Sequence, residues 1–261
     1  MLGSQTFISF KEDTHQYFDP DGNEYSSVSK VNTSVTPAFD RNGISMIMAG
    51  IKAKADGMTV QRAQQIILQD WDHKRDSAIA RGNWIHDNLE QYLLSGKCDD
   101  KLIHVGKRMA SFVSPYYKYF SEALIYIEQY NVAGQADLVV QRQKNKNGVF
   151  DFYDFKTNES KGIYYDSIKR EANGKIKKHY NRFLYSPVEH LEHSNYNIYS
   201  LQLSLYAFMA SVTFNIKVGQ LAILFIDENL NIRRLPVAYL KYEVMALLDA
   251  YQDRNKSGWD E

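Results

Sequence analysis

The chain has 261 residues, of which 44% are hydrophobic, so it can bury one sizeable core. Its 31 Lys and Arg balance 31 Asp and Glu, so any nucleic-acid site must be a local patch of positive charge. The only cysteine, Cys98, excludes an intramolecular disulfide framework and a cysteine-ligated metal cluster within this chain. No run approaches the roughly 20 apolar residues of a membrane span, and no secretory signal is recognisable, so we expect a soluble, cytoplasmic protein without a membrane partner.

The first half of the chain predicts strands, then helices, then strands. Residues 1–35 alternate apolar and polar positions around Asp19-Pro20-Asp21-Gly22, which predicts an amino-terminal β-hairpin. Residues 59–94 have apolar positions at three- and four-residue spacing and predict a helical region broken near Gly82. The helical part continues over about 104–121, and β-branched and aromatic residues then indicate strands.

The second half completes an α/β arrangement. A polar segment at 158–197 has no motif that we can assign, and we treat it as an insertion in a core that covers 122–226. A helix is predicted near 198–212, an apolar strand at 220–226 and a last helix near 239–251. The sequence therefore predicts a single domain over 1–261, with a mixed central β-sheet flanked by helices.

Two aspartates occur in strands that should be buried. If the turn between the two strands is centred between Asn145 and Lys146, Asp137 lies opposite Asp154, and Lys156 follows on the same face. Two like charges directly opposed across strands destabilise a sheet unless positive charge lies between them. A divalent metal ion together with Lys156 would supply that charge.

Two alternatives qualify this interpretation. A two-residue turn at Asn147-Gly148 would slide the register and leave Asp137 nearest Asn158 and Lys156, although we prefer the first register. Charged pairs on strands are also commonly a solvated sheet face. The apolar neighbours of the two aspartates, among them Leu138 and Phe155, favour a site at the edge of a core instead.

Two helical segments contain further polar pairs. His86 and Glu90 are four residues apart and share one side of a helix, as do Gln202 and Tyr206. Either pair alone is more often an ordinary solvated pair than a functional one.

Taken in order, these segments resemble the RecB-type exonuclease branch of the PD-(D/E)XK nuclease superfamily over about residues 80–210. The amino-terminal hairpin, with Ser27-Val28-Ser29, is also similar to phage-type exonucleases and to the mitochondrial genome maintenance exonuclease. The matching elements are G-x-x-x-H at Gly82 and His86, G-x-x-D at Gly134 and Asp137, D-x-K at Asp154 and Lys156, and Q-x-x-x-Y at Gln202 and Tyr206.

The resemblance implies a restriction-endonuclease-like core with a Mg²⁺ site in which Mn²⁺ can substitute. The implied metal ligands are His86, Asp137, Asp154 and the backbone carbonyl of Phe155. Lys156 is then expected to orient the attacking water or to stabilise charge that develops on the phosphate.

Other acids and polar residues have secondary implied roles. Gln202 and Tyr206 are expected to contact DNA or to support the site. Glu90 would hold His86 or reach a second metal through water, and Glu128 is a further acidic candidate.

A local basic segment is the candidate DNA contact. Residues 169–182 contain six Lys and Arg against one Glu, so they could follow a phosphate backbone while an aromatic ring stacks on a base. A solvated surface loop is an equally weighted alternative. The candidate residues are Lys169, Arg170, Lys175, Lys177, Lys178, Tyr180 and Arg182.

Together these features predict a Mg²⁺-dependent deoxyribonuclease of replication, recombination or repair, in a bacterial or phage-infected cell. The resemblance favours an exonuclease that acts on single strands or accessible ends. The alternatives are a structure-specific endonuclease and a non-catalytic nucleic-acid-binding or accessory module. Because the chain lacks the nucleotide-binding G-x-x-x-x-G-K-[ST] element, any ATP-driven unwinding requires a helicase or recombination partner. One cysteine cannot hold the iron–sulfur cluster of some relatives in this branch.

Overall fold

The computed structural model describes residues 7–113, 118–142, 148–157, 163–166, 168–170, 175–179 and 182–257. The chain divides into two compact units, a smaller one at Ala38–Asp87 and a larger one formed by Met1–Pro37 and Asn88–Glu261. The helices are α1 Val28–Thr33, α2 Arg41–Asp56, α3 Val60–Ser95, α4 Ile103–Val113, α5 Asn195–Thr213 and α6 Lys241–Ser257. The strands are β1 Ser9–Lys11, β2 Gln16–Phe18, β3 Glu24–Ser27, β4 Lys118–Ile127, β5 Val132–Gln141, β6 Val149–Lys156, β7 Ile168–Arg170, β8 Ile176–His179, β9 Lys217–Ile226 and β10 Ile232–Val237.

The larger unit is built on an eight-stranded mixed sheet in the order β1-β2-β3-β5-β6-β9-β10, with β4 also paired to β5. The β3–β5 and β6–β9 pairs are parallel, and the other pairs are antiparallel. This confirms the predicted mixed sheet with flanking helices and amino-terminal strands. Among the described residues, no helix combines the length and apolar character needed to cross a bilayer.

The strands that contain the two aspartates pair as predicted. Leu138 lies opposite Tyr153, and the register continues to Gln141 opposite Phe150. Extending it by one position places Asp137 opposite Asp154, as the preferred turn position requires. The alternative register is therefore wrong.

Helix α5 fixes one layer of the core against this sheet. It begins at the N-cap Ser194, whose side chain accepts a hydrogen bond from the backbone N–H of Asn197. Every residue from Ser200 to Ala210 is buried except Gln202. A helix that is apolar nearly all round belongs in a core, so the one half-buried amide is a conspicuous exception.

Several predicted element boundaries are wrong. Helix α3 runs without a break through Gly82, because a single glycine only weakens a helix by about 1 kcal/mol. The helical part does not reach residue 121, since β4 already begins at Lys118. Its aromatic and apolar run prefers a pleated surface.

The amino-terminal segment also contains more elements than the predicted hairpin. Asp19 accepts hydrogen bonds from the backbone N–H groups of Asp21 and Asn23, which forms the predicted turn between β2 and β3. An additional strand, β1, precedes them. Residues Val28–Thr33 form α1 instead of continuing the hairpin, with Ser27 as the N-cap.

The polar segment at 158–197 contains a small sheet of its own. Strands β7 and β8 pair antiparallel, with Lys169 opposite Lys178. Further along, Leu184 and Val188 are buried in the main core.

The smaller unit consists of α2 and most of α3. Its core is made mainly of alanine side chains, and Trp71 packs against it. Its buried members are Ala49, Ala53, Ala63 and Ile67.

Candidate active site

A pair of carboxylates lies on neighbouring strands of the larger unit. The β4–β5 register has Ser121 opposite Leu138 and Ala123 opposite Ala136, so Glu122 on β4 faces Asp137 on β5. One carboxylate oxygen of Glu122 lies within 4.8 Å of one of Asp137. Such a spacing places two negative charges where a single cation could contact both.

The backbone at Glu122 is strained. Its φ angle is 46°, in the left-handed region that non-glycine residues rarely adopt within a strand. A conformation of this kind costs about 1–3 kcal/mol and persists only where the surrounding structure enforces it. Strain at this position coincides with the point where the side chain meets Asp137.

Asp137 also holds the neighbouring strand in place. The last β5–β6 pair is Leu138 with Tyr153, and beyond it the backbone N–H of Phe155 donates to Asp137 Oδ2 at 2.6 Å. The carboxylate thus replaces a ladder hydrogen bond at the position where the two strands separate. Its orientation is fixed by β6 itself.

Lys156 and Asp154 form a buried ion pair at the same end of β6. Lys156 Nζ lies 2.6 Å from Asp154 Oδ2, and the two side chains are 17% and 4% exposed. Burial acts to lower the pKa of Lys156, but the negative charges of Asp154 and Asp137 outweigh it, so the pKa is raised above its usual value. The lysine therefore stays protonated at neutral pH.

The four residues of this cluster differ in charge. Glu122, Asp137 and Asp154 bring three formal negative charges, and Lys156 brings one positive charge. The net formal charge of these four residues by themselves is −2, which a divalent cation would neutralise. Carboxylate oxygens are the hard donors that Mg²⁺ and Mn²⁺ prefer, so these residues fit the implied metal.

Tyr206 lies beneath the aspartates and is buried. Burial, followed by the charges of Asp137, Tyr17 and Asp154, raises the pKa of Tyr206 well above its usual value, although a hydrogen bond with Gln202 opposes the shift. The phenol is therefore neutral. Gln202, the one half-buried residue between Ser200 and Ala210, is thus hydrogen-bonded to Tyr206.

Gly134 is required by this packing. A Cβ atom at residue 134 would lie 2.7 Å from Tyr206 Cε1 and 2.9 Å from Val28 Cγ2. Both distances are shorter than any normal carbon contact. The glycine of G-x-x-D and the tyrosine of Q-x-x-x-Y therefore belong to one packed contact.

Three residues near this cluster were not predicted as site residues. Glu122 belongs to no motif, and it lies at the boundary between the predicted helix, which ends at 121, and the predicted strands. Tyr17 on β2 has its pKa raised to about 12 by burial and then by the charge of Glu122. The Tyr199 ring centroid lies 4.8 Å from Lys156 Nζ. The only sequence signal for Tyr199 is its position three residues before Gln202.

The other predicted acids and metal ligands either lie apart from this cluster or stay predictions. Glu128 is exposed in the short helix that follows β4, six residues beyond Glu122, or roughly 20 Å along an extended strand. Glu90 is half-buried on α3 within the larger unit. His86 lies on α3 at the end of the smaller unit, and its role as a ligand stays a prediction, as does that of the Phe155 carbonyl.

The basic segment is described in part. Lys169 and Arg170 lie on β7, and Lys177 and Lys178 lie on β8. Lys175 and Arg182 are exposed, and Tyr180 lies outside the described residues.

No protein-family model matches this sequence, and the comparison with curated proteins also gives no match. Among solved structures, the chain is similar to a crystal structure of a "putative exonuclease" from Eubacterium rectale. The two chains are 12% identical, with 70% of this chain and 69% of the other covered, at a TM-score of 0.38.

Proposed function

We propose that this protein is a metal-dependent deoxyribonuclease that hydrolyses phosphodiester bonds. The observation that supports this most is the cluster on β4, β5 and β6. Asp137 and Asp154 lie beside the largely buried, protonated Lys156, and a carboxylate oxygen of Glu122 lies within 4.8 Å of one of Asp137. This combination suits phosphodiester hydrolysis, because the lysine and a bound cation would stabilise the negative charge that develops on a group that is already anionic.

The proposed metal ligands are Glu122, Asp137 and Asp154, with His86 and the Phe155 carbonyl as the further ligands that the family resemblance implies. Mg²⁺ is the proposed ion and Mn²⁺ its substitute. When bound, such an ion polarises a phosphate oxygen and lowers the pKa of a coordinated water.

Lys156 is the proposed electrostatic catalyst. Its ammonium group is held by Asp154 at 2.6 Å and stays charged, so it can donate a hydrogen bond to the phosphate or to the attacking water. A buried ammonium group with a fixed partner needs little reorganisation during the reaction. This is the property that makes preorganised charge effective in an active site.

Asp137 and Tyr206 are proposed to position the site. Asp137 anchors the Phe155 backbone N–H and thereby orients the end of β6, which carries Lys156. Tyr206 packs against Gly134, three residues before Asp137, and its hydrogen bond with Gln202 fixes the ring. A direct DNA contact by Gln202 remains part of the proposal, because its side chain is only half-buried.

The proposed substrate is DNA with a single-stranded region or an accessible end. The preference for exonuclease action comes from the sequence resemblance alone. The two-stranded β7–β8 sheet, with Lys169 opposite Lys178, is the proposed backbone contact. A helicase or recombination partner remains a prediction.

Incubation with end-labelled linear and circular DNA, single- and double-stranded, tests this proposal. Each substrate is treated with purified protein in Mg²⁺, Mn²⁺ or EDTA. We expect metal-dependent ladders from linear substrates, with circles left intact. Asp137→Asn protein serves as the matched control, because it removes only one charge and excludes a contaminating nuclease.

Two outcomes would change the conclusion. Cut circles would replace the exonuclease with an endonuclease. DNA binding without cleavage in any metal would favour the non-catalytic nucleic-acid-binding module.

A further inference from the structure

A row of three tyrosines leads outward from Lys156. The Tyr199 ring lies 4.8 Å from Lys156 Nζ, and Tyr196 precedes Tyr199 by three residues on α5, so their side chains are neighbours on one helix face. The ring of Tyr165 lies 4.7 Å from that of Tyr196, measured between centroids. We call Tyr199, Tyr196 and Tyr165 the tyrosine track.

The outer end of the track is fixed to the start of α5 by backbone hydrogen bonds. The N–H of Tyr196 donates to the carbonyl oxygen of Tyr164 at 3.0 Å, and the N–H of Tyr164 donates to Asn195 Oδ1 at 2.6 Å. The first bond satisfies one of the amide groups that a helix leaves unpaired at its first turn. Tyr165 is consequently held beside Tyr196.

Tyr196 itself is anchored at its far end. Its hydroxyl group donates to the Pro236 carbonyl oxygen at 2.8 Å. This bond satisfies the polar tip of the side chain and orients the ring. A ring held in this way loses little conformational entropy when a planar group packs beside it.

Tyr165 remains 55% exposed although it is held in place. An aromatic ring whose only role was to cover the core would be more deeply buried, as Tyr206 is, with an exposed fraction of 6%. The ring of Tyr165 instead presents a flat apolar surface to solvent. It lies at the outer end of the tyrosine track, whose inner end is the Lys156 ammonium group. The inner end favours a phosphate, and the outer end favours a planar apolar group.

We propose that the tyrosine track binds unpaired nucleotides of a single-stranded DNA segment, with a base stacked on Tyr165 and the adjoining backbone directed toward Lys156. This inference rests on the proposed nuclease function and assigns the single-stranded part of its substrate to named residues. Within a duplex the faces of the bases are covered by neighbouring pairs. A stacking ring therefore selects a single strand or a frayed end.

The test measures binding separately from cleavage. Fluorescein-labelled oligothymidylate is titrated with protein in EDTA, where no hydrolysis takes place, and its anisotropy is recorded. A second strand contains 2-aminopurine, whose fluorescence is quenched when it stacks on a ring. The variants are Tyr165→Ala, which removes the ring, and Tyr165→Phe, which keeps it.

Phe7→Ala is the matched control. Phe7 is 38% exposed and stacks on Tyr126 at 5.4 Å between centroids, so it too is an exposed ring packed on a less exposed one, but it precedes β1 and is not part of the tyrosine track. Its loss also removes exposed aromatic surface.

We expect Tyr165→Ala to weaken single-strand binding about tenfold, to abolish quenching and to leave binding of a blunt duplex unchanged. Tyr165→Phe and Phe7→Ala should bind as the wild type does. Unchanged single-strand affinity in Tyr165→Ala, or an equal loss on the duplex, would overturn the inference. If such a variant still cleaved DNA in Mg²⁺ while Asp137→Asn did not, the proposed nuclease function would stand without the track.

Discussion

Strand β6 contains two buried aspartates in two different settings. Asp151 and Asp154 are 4% and 3% exposed and lie three residues apart, so their side chains project from opposite faces of the sheet. Asp151 Oδ2 lies 2.6 Å from Arg142 Nε, and Asp151 Oδ1 accepts the backbone N–H of Gln220 at 2.6 Å. Its charge is matched by one guanidinium group.

Asp154 is in the opposite situation. It shares Lys156 with Asp137, and a carboxylate oxygen of Glu122 lies within 4.8 Å of one of Asp137. A buried carboxylate alone is therefore no sign of catalysis. What separates the two positions is that Asp151 is paired with a guanidinium group, whereas Asp154 lies beside a second carboxylate, Asp137, at the same lysine.

Asp137→Asn is the most severe test of this difference. We expect DNA cleavage to fall by more than about a thousandfold, because the variant loses charge that would hold the metal. The amide oxygen can still accept from the Phe155 N–H, and one repulsion is removed, so stability in EDTA should be unchanged or higher. A single-turnover cleavage assay measures the first effect and thermal unfolding the second, while titration calorimetry with Mn²⁺ measures the loss of metal affinity.

Asp151→Asn is the control for that experiment, since it removes a buried carboxylate three residues from Asp154. It should retain Mn²⁺ affinity. Wild-type Mn²⁺ affinity in Asp137→Asn would remove this residue from the proposed metal site.

The next effect is expected at Lys156. Lys156→Ala should slow single-turnover cleavage about a hundred- to a thousandfold while DNA affinity in Ca²⁺ changes little, because its charge acts mainly in the transition state. Lys156→Arg should restore little activity, since a planar guanidinium group cannot occupy the position of a compact ammonium group. Near-wild-type single-turnover rates in Lys156→Ala would show that the lysine only balances charge.

A smaller effect, on stability and not on activity, is expected for Asp151. We expect Asp151→Ala to lower the free energy of unfolding by about 2 kcal/mol, because Arg142 and the Gln220 N–H lose their partner. The activity of each folded molecule should remain that of the wild type. Urea unfolding and active-fraction assays measure both quantities, and a selective loss of activity without destabilisation would contradict the structural role.

The smallest expected effect concerns charge away from β6. Replacing Lys175, Lys177 and Lys178 by Ala should weaken DNA binding and lower the slope of log affinity against log salt by about one unit for each phosphate group that is no longer neutralised. A triple variant of three exposed lysines elsewhere is the control, and its salt slope should not change. The control residues are Lys101, Lys107 and Lys241. An unchanged slope in the first variant would make the segment a solvated surface.

The sequence predicted that Asp137 lies opposite Asp154, because strand parity and turn position are local properties of the chain. It also predicted the mixed sheet and most of helix α3. It did not predict Glu122, because that acid belongs to no motif and because its left-handed backbone angle interrupts the regular course of β4. Such an angle leaves no trace in residue spacing. The unbroken course of α3 through Gly82 shows, in turn, that helix packing overrides a single weak residue.

The left-handed backbone of Glu122 has a consequence for any attempt to make this protein more robust. Glycine adopts a φ angle of 46° without penalty, so selection for heat resistance alone would favour its appearance at this position. That exchange would remove a carboxylate from the proposed metal site. A substitution at residue 122 that raises stability would therefore remove activity. Thermostable variants should be screened for activity before they are kept.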